Sequence, residues 1–285
     1  MSRAAHVVSV AILVSVWPAV AAEPRLKDVL TRLDAYLTTY ETQLAALVAE
    51  EQYEQWTTSG REGAESTRRT LTSDFGFLRL PGRQEWLGLR DTFSVDGERV
   101  SDRQGRLDGL LAEGAASQQE LARRIVEENA RYNLGIVART INVPMLALDY
   151  LGSRNRWRLA LQRRGEQEVD GRKSWTISFQ EKERPTLVRT PRGRSRPAHG
   201  MVWVQPGDGA VLRTEVAYDR SDESPAAGIT VQYRREATLG LLVPVEMIER
   251  YIVDGGASTR SEIGALATYT KFRKFRASGR IVSPQ

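Results

Sequence analysis

From residue 155 onward, apolar positions recur at every second residue. Trp157, Leu159 and Leu161 alternate with Arg156, Arg158 and Gln162; Trp175, Ile177 and Phe179 alternate with Ser174, Thr176 and Ser178. Leu212, Val216 and Tyr218 alternate with Arg213, Glu215 and Asp219; Ile229, Val231 and Tyr233 alternate with Thr230, Gln232 and Arg234. Successive side chains of a strand point to opposite faces, so each run predicts a strand with one apolar and one polar side. Asp170-Gly171 and the stretch Pro206 to Gly209 separate the runs as turns. Strands in this succession predict an antiparallel meander with one face in water.

Upstream the period lengthens. Over 24–49, Leu26, Val29, Leu30, Leu33, Tyr36, Leu37, Tyr40, Leu44, Leu47 and Val48 recur at helical spacing behind Pro24, which predicts a helix of about seven turns with one apolar stripe. Such a stripe suits a helix lying on a sheet; a partner-binding or coiled-coil helix is the alternative, and the pattern is short for it. Residues 70–100 read as two strands punctuated by Pro81-Gly82 and Asp96-Gly97. Residues 117–132 predict a second helix, with Ser117 and Glu120 spaced as a capping box and Leu121, Ile125 and Val126 on its apolar side. "MLALDYL" after Pro144 predicts a short third. Alternation would also fit a two-sheet sandwich, but the apolar helices need a surface. The economical architecture is therefore α+β: a single curved antiparallel sheet, a half-barrel, with helices packed on its concave face.

The first residues have another use. Arg3 is followed by an apolar core from Val7 to Trp17, then Pro18, and small residues at Ala19-Val20-Ala21-Ala22. This is the pattern of a Sec-type secretory signal peptide, 1–22, cleaved near Ala21 or Ala22, and too short for a spanning helix. With no internal repeat or break in composition, residues 23–285 are expected to form one domain. The chain of 285 residues is 41% hydrophobic and 27% charged, ordinary for a globular protein and long enough to bury about 70–75% of its unfolded surface. It contains no cysteine. Neither a disulfide nor a cysteine-linked lipid anchor is available, and a large exported domain without disulfides fits a bacterial periplasm.

The stretch "HGMVWVQPGDGAVLRTEVAY", residues 199–218, combines a strand "MVWV", a turn "QPGDG" and a strand "AVLRTEVAY". It resembles the "vwvDp-tG-plr-e" hairpin of the LolA/LolB-like superfamily of periplasmic lipoprotein carriers. The signal peptide, N-terminal helix, meander, central helices and late strand "ATYTKFRKFR" follow the same layout over residues 25 to 278. Gln205 stands where an acidic residue is common, the chain is longer than the carriers, and 61–150 has no counterpart, so the likeness is to a separate bacterial branch. The resemblance implies a half-barrel whose concave side holds an apolar chain.

Chemistry narrows the classes. After cleavage one histidine, His199, remains, in "RSRPAHG" and without a GxSxG elbow. Thiol catalysis and multi-histidine zinc sites are excluded, and no phosphate loop or dinucleotide fingerprint is present. No catalytic residue, metal or cofactor is expected. The acid pairs Glu181/Glu183 and Glu127/Glu128 keep a carboxylate-based hydrolase as a remote alternative. The expected function is that of an exported, non-enzymatic binder or carrier of an acyl, lipid or other apolar group, its partner that ligand or a lipid-modified protein. Of the tryptophans 56, 86, 157, 175 and 203, which core packing also explains, Trp157, Trp175 and Trp203, with Tyr218, are the candidate ligand lining. Arg189, Arg192, Arg194 and Arg196 crowd one loop and are the candidate contacts to an anionic membrane surface or acidic partner, since arginine forks suit phosphate and carboxylate. An envelope adaptor docking through this basic edge is the second reading; export argues against nucleic acid.

Overall fold

The computed structural model describes residues 23–45, 47–59, 66–78, 86–104, 118–135, 137, 139, 141–254 and 260–274. The segment 1–22 expected to be a signal peptide, Pro81-Gly82, Ser117, and Phe275 and Arg276 of the expected late strand lie outside the described residues. The described strands form one sheet of eleven, all pairs antiparallel, in the order β4-β3-β2-β1-β11-β10-β9-β8-β7-β6-β5. In chain order they are β1 (Leu47–Ser59), β2 (Thr67–Leu78), β3 (Leu87–Val95), β4 (Glu98–Arg99), β5 (Leu159–Val169), β6 (Arg172–Glu181), β7 (Ala198–Val204), β8 (Val211–Tyr218), β9 (Ala226–Glu236), β10 (Leu241–Asp254) and β11 (Arg260–Lys274). Two meanders thus meet where β1 pairs β11, and the sheet stays open. The helices are α1 (Leu26–Leu44), α2 (Gln118–Ala130), α3 (Leu146–Leu151) and α4 (Ser153–Arg156). The α+β architecture read from the periodicities, a single curved antiparallel sheet with helices, is the one observed.

One side of the sheet is buried and the helices lie on it. Ala49 and Tyr53 of β1, Met247 and Tyr251 of β10, Ile229 and Tyr233 of β9, Val216 and Tyr218 of β8 and Ile177 and Phe179 of β6 pack with Val29, Leu33, Leu37, Tyr40 and Leu44 of α1. Leu148, Tyr150 and Leu151 of α3 join the same core.

Two boundaries differ from the sequence reading. The first helix stops at Leu44, and Leu47 and Val48 open β1. The three-residue step from Leu44 to Leu47 imitates a helical repeat, but from Leu47 the buried positions (Leu47, Ala49, Tyr53) already alternate as in a strand. The first meander strand begins at Leu159. Trp157 lies before it, at the end of α4, and is 62% exposed.

The opening hairpin has a structural job. Its turn closes through Gln205 N–H to Ala210 O (2.8 Å) and Gly209 N–H to Gln205 O (2.9 Å). Gly209 takes φ 77°, and a Cβ there would sit 2.3 Å from the backbone of Arg32 and Leu33 in α1. Arg32 in turn donates to Pro206 O at 2.5 Å. The turn is the seat on which α1 rests.

Candidate functional site

Beside the core, α2, β3 and the segments 141–146 and 187–189 enclose a cavity of about 240 Å³. Its apolar wall is Trp86, Leu87, Val126, Ile141, Val143, Leu146, Leu187 and Val188. Asn129, Asn142 and Asp149 in the wall have protein partners. Asn129 donates to Gly88 O (2.6 Å) and accepts from Arg90 N–H (2.7 Å), and Asp149 accepts from Trp86 N–H (3.0 Å). Asn142, with its amide donating to Arg139 O (2.8 Å), accepts from Arg90 Nη1 (3.1 Å).

Beneath this wall lies an ionic layer on the inner face of the sheet. Arg90 is 1% exposed and forks onto Glu51, Nε to Oε2 at 2.5 Å and Nη2 to Oε1 at 2.8 Å. Burial works against the guanidinium charge, but the Glu51 carboxylate outweighs it and lifts the Arg90 pKa further. Arg139 donates to Tyr53 Oη (2.7 Å), Gln55 Oε1 (2.6 Å) and Leu134 O (2.7 Å). Tyr53 and Tyr251 donate to the two oxygens of Glu249, at 3.0 and 2.8 Å. Burial raises the Glu249 pKa, against the pull of Arg139 and Arg90. These groups hold one another, so the space in front of them is left to its apolar lining.

A second hollow of about 630 Å³ adjoins the first at Ile141 and Arg189, which line both. Val137, Tyr251, Ile252 and Val253 supply its apolar side; Arg189, Thr190, Arg196, Arg220, Ser221, Asp222, Glu223 and Ser224 its polar side. Arg196 is half-buried, with its guanidinium 4.8 Å over the Tyr218 ring and Nη2 on Pro225 O at 2.5 Å. It has no carboxylate partner among the described residues, and burial lowers its pKa.

The four arginines therefore divide. Arg192 and Arg194, with side chains 81% and 59% exposed, reach the carboxylate of Glu223, whose own side chain is 6% exposed. Arg189 and Arg196 line the hollow. The loop is ordered by an Arg189–Ser195 bridge and by Thr190 Oγ1 accepting from Arg194 N–H (3.1 Å).

The tryptophans divide as well. Trp175 is on the inner face near the sheet edge, under Arg163 (3.8 Å to the ring centroid), with its indole N–H on Glu166. Trp203 is on the other face: it pairs with Arg213, which lies 4.7 Å over its ring, and donates to Gln167 Oε1 at 2.7 Å. Trp157 is on the surface. The expected single room lined by all three does not form. Tyr218 does reach the inner face, where its hydroxyl meets Tyr150 at 3.1 Å. What the structure brings together is Tyr218 and Arg196, drawn from the two separate candidate sets.

The acid pairs are dispersed. Glu181 is buried and accepts from Leu187 N–H (2.8 Å) and Ala198 N–H (3.2 Å), whereas Glu183 is exposed. Glu127 and Glu128 pair with Arg123 and Arg131 along α2. His199 stands on the open face of the sheet, 3.4 Å from Asp219, both side chains in solvent. It borders a trough of about 740 Å³ with Ser178, Glu215, Ala217 and Thr230. Among the described residues, no cluster of three His, Cys, Asp or Glu side chains could hold a metal, and no helix is long and apolar enough to cross a membrane.

Ile141, Val143, Val188, Arg139 and Arg90 were not legible as a site. Apart from Arg90 of β3 they come from segments without a periodic pattern, and their convergence is a product of the fold. Glu51 and Gln55, on the same parity as Ala49 and Tyr53, were the available signal: polar residues on an apolar strand face.

No family model matches the chain, and no curated protein matches it by sequence. Among solved structures it is similar to a LolA superfamily protein from Nitrosomonas europaea, at 11% identity over 89% of this chain and 94% of that one, with a TM-score of 0.29. It is also similar to an outer membrane lipoprotein-sorting protein domain from Vibrio parahaemolyticus (11% identity, 87% and 95% covered, TM-score 0.37). A DUF1329 family protein from Desulfovibrio piger gives 9% identity, 89% and 95% covered, and a TM-score of 0.36. At these TM-scores the likeness is one of layout, and what the chain does has to be read from its own residues.

Proposed function

We propose that the protein is an exported, non-enzymatic binder of an acyl or similar apolar group that carries an acidic head. The observation that carries the reading is the adjoining pair of hollows at Ile141 and Arg189. One is mainly apolar, with Asn129, Arg139, Asn142 and Asp149 of its wall paired within the protein; the other, where Glu223 is held by Arg194, contains Arg196, a half-buried cation with no carboxylate partner among the described residues. A tail among Trp86, Ile141, Val143, Leu146 and Val188 would gain about 0.8 kcal/mol per methylene buried, and a carboxylate or phosphate on Arg189 and Arg196 would replace water with charge-assisted bonds. Convergent polar groups at the mouth of an apolar recess are the usual form of a small-molecule site. The leader pattern of residues 1–22 supports export, and His199 and the dispersed acids support a role without catalysis.

A fluorescent fatty acid should bind with a dissociation constant of micromolar order, about −8 kcal/mol. Arg196→Gln should weaken it by about ten-fold while leaving the binding of an uncharged acyl alcohol nearly unchanged. Equal binding of acid and alcohol, or no binding of either, contradicts the proposal.

A further inference from the structure

Trp157 has no role in the core, yet it is held firmly. It is one of two large apolar side chains that stand out among the described residues as exposed, the other being Ile248 on β10. Its segment is pinned from both sides. Arg156 forks onto Asp34 of α1, with both contacts at 2.5 Å, and donates to Leu30 O (3.1 Å). Asn155 donates to Asp149 O at 2.9 Å. The indole N–H is already used, on Arg154 O at 2.9 Å, so the exposed part of the ring is apolar and can be buried without stranding a donor.

The surroundings are cationic. The Arg158 guanidinium lies 4.5 Å over the ring. Lys182 N–H bonds Arg158 O (2.8 Å) and Arg158 Nη1 donates to Pro185 O (2.5 Å), which brings the turn 182–185 alongside. Arg154, Lys182 and Arg184 are exposed there; Glu183 is the exposed acid of that turn.

We propose that Trp157 and its basic ring form a docking surface for an anionic lipid bilayer. A ring with a satisfied N–H inserts at the headgroup level, where tryptophan is favoured, while Arg154, Arg158, Lys182 and Arg184 meet the negative surface. A protein partner would call for a wider apolar centre around the aromatic residue, and among the described residues no large apolar side chain stands exposed beside Trp157. The turn also connects the surface to the hollows: its continuation, Leu187 to Arg189, forms part of the cavity wall. The docking surface does not depend on what the cavity holds.

Co-sedimentation of the purified protein with phosphatidylglycerol–phosphatidylcholine vesicles tests this, with phosphatidylcholine-only vesicles as the control. Binding is expected to the anionic vesicles and to fall as salt is added. Trp157→Ala should lower the partition coefficient by about ten-fold, and Arg154→Ala and Lys182→Ala by about five-fold each. Each variant should keep the melting temperature and the fatty-acid affinity of the parent, because none of these side chains lines the hollows. Equal binding to both vesicle types, anionic binding untouched in Trp157→Ala, or no vesicle binding at all would overturn the proposal. Loss of fatty-acid binding with vesicle binding intact would count against the cavity and leave the docking surface standing.

Discussion

Arg196 and its neighbours show how differently one residue type behaves within eight positions. Arg192 and Arg194 are themselves exposed, but the Glu223 carboxylate they meet is on a side chain only 6% exposed. Replacing both with alanine leaves that carboxylate without its cations and should cost about 1–3 kcal/mol in a urea titration. Arg196→Ala removes a bond to Pro225 O and a cation over Tyr218, and should cost about 1 kcal/mol in a urea titration. A double variant as stable as the parent would show that Glu223 does not depend on its two cations. The ionic layer makes a prediction of its own. Burial raises the Glu249 pKa above that of the unfolded chain, so the folded state takes up a proton first. Stability must then rise as pH falls through the folded-state pKa, with the gain complete below the unfolded value. Glu249→Gln should lack this part of the pH dependence, and the gap between the two urea curves should change as the pH is lowered. A gap independent of pH would show that the charge of Glu249 plays no part in stability. The division among the arginines was not readable from the sequence, since exposure within an irregular loop has no period.

At the level of elements, the strands were the most legible feature because period two is unambiguous when polar residues separate the apolar ones. The parity of Trp203 was hidden by its run, Met201-Val202-Trp203-Val204, which is apolar throughout, and by the register shift between Trp203 and Val204. The end of α1 was hidden by the chance spacing of Leu44 and Leu47. The hairpin was legible as a turn but not as a seat for α1, because Gly209 is explained equally well by its φ until the helix is seen against it. Gly209→Ala should therefore cost more than a positive φ alone, about 2 kcal/mol or more in chemical denaturation, because Cβ would meet helix backbone with little room to yield. Gly171, with φ 72° and nothing within 4 Å of an added methyl, is the control. Its alanine variant should lose about 1 kcal/mol, and equal losses at both positions would mean that the turn does not seat the helix.

For the molecule as a whole, one open sheet with its helices on one side was foreseen, whereas the site was not. Pattern reveals which face of a strand is apolar. It does not reveal which irregular segments close over the end of that face, and here Ile141 to Leu146 and Leu187 to Arg196 contribute walls to the two hollows. The central claim is that those hollows hold an amphiphile. Native mass spectrometry of the protein exported by a bacterium with its own leader tests this most directly. The expected result is a chain cut after Ala21 or Ala22 that carries a dissociable acidic acyl molecule, and an Ile141→Trp variant, its cavity filled, that carries none. A bare mass for the parent protein, together with no uptake of added fatty acid, would contradict it.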